Sequence, residues 1–150
     1  MRALLRGAIA TGLVVAISLA AAYAGRALAE GEAKAPAVLD YMKTVVNPAA
    51  TAFWAAGNGG PDGEPAAAAE QRWKAAGAAA ADLQTAGAWL AKPANSRGPE
   101  WNAFAGRLAK VGSDSAEAVR KRDPDAALEV GGALSEACDA CHSKYMPARQ

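Results

Sequence analysis

The chain has 150 residues, 16 of them basic and 15 acidic, a formal net charge of +1, two cysteines and a single histidine. Charge this balanced, with no Lys/Arg run, carries no electrostatic footprint for nucleic acid. No nucleophile–base pairing is readable around one histidine, which leaves a hydrolytic enzyme without support, and three Cys and His residues fall one short of a structural zinc site.

Residues 1–29 read as an export signal. Arg2 and Arg6 give a basic start, and nothing from Gly7 to Gly25 is charged. Leu13, Val14, Val15, Ile17 and Leu19 form the apolar heart, and Ala27-Leu28-Ala29 offers an A-x-A cleavage site before Glu30. An uncleaved membrane anchor is the alternative, since about 20 apolar residues span a bilayer. Dilution of the run by Gly, Ala, Thr and Ser favours cleavage. The signal holds three arginines and no acid, so residues 30–150 keep 13 basic and 15 acidic side chains, a net charge of −2. That stretch is one domain in size.

Four helices follow, punctuated by prolines. Pro36, Pro65, Pro99 and Pro124 each precede a long Ala-rich stretch, and proline suits the first turn of a helix. The breaks are Asn58–Gly63, Lys92–Gly98 and the short stop at Asp123-Pro124, with Asp123 a good N-cap. The apolar faces have helical spacing. They are Val38, Met42, Val45, Ala49 and Phe53; then Trp73, Ala76, Ala80, Leu83, Gly87 and Leu90; then Trp101, Phe104, Leu108, Val111, Ser115 and Val119; then Ala127, Gly131, Leu134, Cys138, Cys141 and Tyr145. The last set alternates steps of four and three, the seam of a bundle core. No segment alternates with a period of two, so the expected class is all-α. Trp54, Trp73, Trp89 and Trp101 read as core or cap residues. Pro48 inside the first helix should kink it and free the Thr44 carbonyl, or else mark a stop and restart. Gly131 and Gly132 sit where glycine costs about 1 kcal/mol relative to alanine. Close approach of another helix or of a bound group, or simple tolerance, accounts for them equally well.

The last helix carries Cys138-Asp139-Ala140-Cys141-His142, a C-x-x-C-H run, the attachment signature of a c-type haem. The two thiols add across the porphyrin vinyl groups to give thioethers, and the imidazole ligates the iron. Positions three and four apart share a helix face, so both sulfurs and the ring reach one flat ligand. A C-x-x-C pair could instead be a thiol–disulfide redox site, but that asks for a preceding strand, and none is read. In an exported, oxidising setting the two cysteines are consumed by the cofactor rather than paired. Leu, Ile, Val and Phe are few beside alanine, so an embedded haem would also replace missing apolar volume.

Together these parts resemble the class II cytochromes c, the cytochrome c′ group and its low-spin relatives, in which the motif lies in the last helix. The resemblance implies an antiparallel four-helix bundle with one covalently bound haem c near one end, thioethers at Cys138 and Cys141, and His142 as proximal iron ligand. It further implies the periplasm, often a homodimer, and electron transfer with periplasmic redox partner proteins. After signal cleavage no membrane association is expected. Some members bind nitric oxide or carbon monoxide at the iron. The family often has a basic residue in the first helix that meets a haem propionate; here those positions hold Val38, Leu39 and Asp40. Lys144 and Arg149 are the propionate candidates by proximity in sequence.

The opposite face of the iron decides the chemistry. His142 is the only histidine, Met1 leaves with the signal, and Met146 lies one turn beyond His142 on the proximal side. Met42 is the remaining candidate for distal ligand, which would give a low-spin carrier of raised potential. As a core filler, the common use of Met on a helix face, it would leave a five-coordinate, gas-binding iron.

Overall fold

The structure, a computed structural model, describes residues 37–146. The export signal read at 1–29, and Pro147 and Arg149, lie outside these residues. Helix α1 runs over residues 37–57, with a π turn at Met42–Val46 followed by regular helix at Asn47–Gly57. Helix α2 is Ala66–Leu90, α3 is Pro99–Lys121 and α4 is Pro124–Tyr145. Among the described residues there is no strand, and the all-helical architecture is compatible with the bundle expected from the sequence.

The ends follow local chemistry. Asp123 caps α4, its carboxylate accepting the Ala126 N–H at 3.0 Å. Pro99 and Pro124 open their helices, where the missing N–H costs nothing. Arg122 closes α3 in the left-handed region, φ 51°. Pro48 neither stops α1 nor breaks it. The disturbance falls just upstream, where the Asn47 N–H reaches back five residues to the Met42 carbonyl. That extra residue rotates the apolar face. Val46, rather than the expected Val45, is buried, and Ala49, Ala50, Phe53 and Ala56 follow it.

Neighbouring helices run antiparallel. Tyr41 meets Trp89 and the Ala56 carbonyl meets Arg72, which pairs α1 with α2. Gly87 faces Ala105 and Ala109, and Gly112 faces Ala80 and Gln84, which pairs α2 with α3. Trp54 donates its indole N–H to the Gly131 carbonyl at 2.9 Å, and Gly57 lies against Ala127 and Leu128, which pairs α1 with α4. Helix α4 also packs on α3. Phe53, Leu83 and Leu134 are the large side chains at the centre.

The rest of the core is mostly alanine, and α2 and α3 close directly upon it. A methyl carbon at Gly87 would stand 2.5 Å from the Ala105 carbonyl oxygen, and one at Gly112 would strike the Gln84 backbone. In this half, small residues allow close approach and leave no volume for a ligand to replace. Gly87→Ala and Gly112→Ala should therefore destabilise the fold by about 1–3 kcal/mol each in chemical denaturation, as overpacking does. Helix propensity alone would favour alanine by about 1 kcal/mol. Unchanged or raised stability would refute the close α2–α3 approach.

Candidate functional site

The seam of α4 loosens as it approaches the motif. Ala127, Gly131 and Leu134 are buried, whereas Cys138, Cys141 and Tyr145 are half-buried and His142 is exposed. Both cysteines are free thiols. Desolvation raises the pKa of each. At Cys138 the nearby Asp139 and Cys141 add to the rise, and at Cys141 the Arg97 guanidinium partly offsets it.

Aromatic side chains surround this end. Trp101 is buried and donates its indole N–H to the Leu90 carbonyl at 2.8 Å. Tyr145, one turn beyond Cys141, sets its ring edge-on to Trp101 at 4.9 Å and to Phe104 at 6.1 Å. Across the bundle Tyr41 stacks on Trp89 at 4.0 Å. Burial, with Asp82 nearby, raises the Tyr41 pKa. The Arg97 guanidinium lies 4.7 Å over the Trp101 ring. Lys144 forms an ion pair with Glu100, whose hydrogen bond raises the lysine's pKa.

Register places Met42 relative to the motif. Trp54 is level with Gly131. In an antiparallel pair, twelve residues back along α1 is Met42, and twelve on along α4 is Ser143, the neighbour of His142. Met42 is half-buried and packs against the core. The two helices do not stay together over that distance. From Asn47 to Gly57 α1 packs along α4, but the Met42–Val46 turn packs on α2 and makes no comparable contact with α4. Met42 is thus at the height of the motif without being held against it. Met146 leaves the helix in an extended conformation and is exposed.

The glycines of α4 divide. Trp54 approaches a Cβ position on Gly131 to 3.1 Å, so close packing explains that residue, while Gly132 faces open space. A pocket of about 220 Å³ lies here, lined by Trp54, Gly57, Leu128 and Ser135 among others. It is smaller than ordinary ligand pockets and stops one turn short of Cys138. Among the described residues no three His, Cys, Asp or Glu side chains form a metal-binding group, and no helix is long and apolar enough to cross a membrane.

Comparison with known proteins finds no match: no family model, no curated protein and no solved structure.

Two observations bear on whether the residues present suit a covalently bound porphyrin. The donor set does: two unpaired, half-buried thiols three residues apart, followed by an imidazole on the bundle's outer rim. The helix path does too, because α1 and α4 part at the height of the motif. Sequence reasoning missed Arg97. It sits in a loop, where no periodicity signals a neighbour.

Proposed function

We propose that the chain is a c-type cytochrome of the class II kind, a small electron carrier working with periplasmic redox proteins. The carrying observation is the run Cys138-x-x-Cys141-His142 on one helix, with both thiols free and half-buried at the end of the bundle where α1 and α4 part. Bound there, haem would supply one-electron chemistry at its iron. Cys138 and Cys141 would hold it by thioethers: each S–H adds across one vinyl group, the sulfur to one carbon and the hydrogen to the other. His142 would supply the proximal nitrogen, and Met42, at the matching height on α1, the distal sulfur. Tyr145, Trp101 and Phe104 would wall the site from α3 and α4.

The raised thiol pKa values weigh against a thiol–disulfide enzyme, whose attacking cysteine works through a depressed one. Docking of redox partners would be small in area and brief, as such encounters are.

Purified protein from cells with intact haem-attachment machinery tests the reading. A red protein with the mass of chain plus one haem, and a low-spin reduced spectrum unaltered by carbon monoxide, is expected. High-spin spectra with ready carbon monoxide binding would retain the haem and overturn Met42 ligation. A colourless protein with two alkylatable thiols would overturn the whole reading.

A further inference from the structure

We infer that Arg97 anchors a carboxylate of the group attached at Cys138 and Cys141, since Val38, Leu39 and Asp40 supply no cation at the first-helix positions named above. The inference rests on the haem reading above; haem carries two propionates, and one of them is the carboxylate meant.

Arg97 stands in the loop between α2 and α3, and that loop is pinned. The Asn95 and Ser96 N–H groups both donate to the Lys92 carbonyl, at 2.8 and 2.9 Å, and the Asn95 side-chain amide donates to the Trp89 carbonyl at 2.8 Å. The guanidinium is parked over Trp101, a buried ring itself fixed by its bond to Leu90. Stacking on an aromatic face leaves the planar fork of donors pointing outward, the geometry that grips a carboxylate by two bonds. Tyr145 touches the same Trp101 ring from one turn beyond Cys141, so platform and motif share a wall.

Two other cations of this end are engaged elsewhere. Lys144 is engaged by Glu100. Arg107 stacks on Phe104 at 5.5 Å, farther along α3. Arg97 is exposed and takes part in none of the ion pairs found among the described residues. A desolvated carboxylate beside the motif would find it ready.

The test uses the haem-loaded protein and its midpoint potential. Removing the cation leaves a propionate charge uncompensated near the iron, which favours the oxidised form. Arg97→Gln should lower the potential by about 59 mV, a tenfold change in the one-electron equilibrium, with haem content and spin state unchanged. Arg97→Lys should recover part of the shift, and Lys92→Gln, a charge lost from the same loop, should give less than a third of it. If Arg97→Gln moves the potential no more than Lys92→Gln in red, fully loaded protein, the anchor is refuted while the haem reading stands. A colourless native protein would remove both.

Discussion

A Cys138→Ser, Cys141→Ser variant, matured alongside the native chain, emerges without covalent haem. A serine hydroxyl does not add to a vinyl group as a thiol does, so the loss is complete, and each single variant keeps one thioether at most. Acid–acetone extraction separates these outcomes: on the proposed reading haem should stay with the native chain and leave the double variant. Retention of extraction-resistant haem by the double variant would rule out attachment at these residues. The same pair should differ in haem-free form at alkaline pH. Both thiols have folded-state pKa values raised above the unfolded one, chiefly by desolvation. Below the unfolded thiol pKa of about 8.5 both states are protonated and this contribution is intact. Above it the unfolded chain ionises first, so stability falls as pH rises toward the folded values. The serine variant lacks that decline. Its loosening should be confined to the end where α1 and α4 part, since the α2–α3 contact through Gly87 and Gly112 does not involve the motif. Amide exchange would report it in residues 138–145.

On the proposed reading, Met42→Leu should keep a haem bonded to α4 and turn a low-spin spectrum into a high-spin one that takes carbon monoxide. The potential should fall as well, because a thioether ligand raises it. Leucine conserves volume and costs under about 1.5 kcal/mol in packing, so a changed spectrum in a stable protein reports ligation and not collapse. A spectrum identical to native would show that Met42 is a packing residue. The structure already makes the second role real, for Met42 packs against the core. It gives the first role its opportunity, through the antiparallel register that sets Met42 level with the residues beside His142.

Much of this architecture was legible because it is written locally. Pro65, Pro99, Pro124 and the Asp123 cap mark helix starts through backbone chemistry that needs no partner. The faces of α2 and α3 were readable because a regular helix keeps its phase, and the residues expected there are buried or half-buried. The face of α1 was misread by one position at Val45, because proline was taken to kink or stop the helix and not to widen the turn before it. The alanine-rich core was read as a shortage of volume, whereas Gly87 and Gly112 draw two helices together, a relation that exists only between segments far apart in sequence. At the candidate site the motif was legible residue by residue. Its surroundings were not. The pairing of Lys144 with Glu100 depends on how α3 meets α4, and the seat of Arg97 on Trp101 on how the α2–α3 loop folds back.

The widened turn in α1 has one more effect. A uniform α-helix advances about 100° per residue, so without the extra residue ahead of Pro48 the Met42 sulfur would lie roughly a quarter-circle away around the axis. The compass bearing of that side chain is therefore governed by a ring six positions downstream, and a lineage could retune it by moving an imino acid while leaving the Cys138–His142 motif untouched.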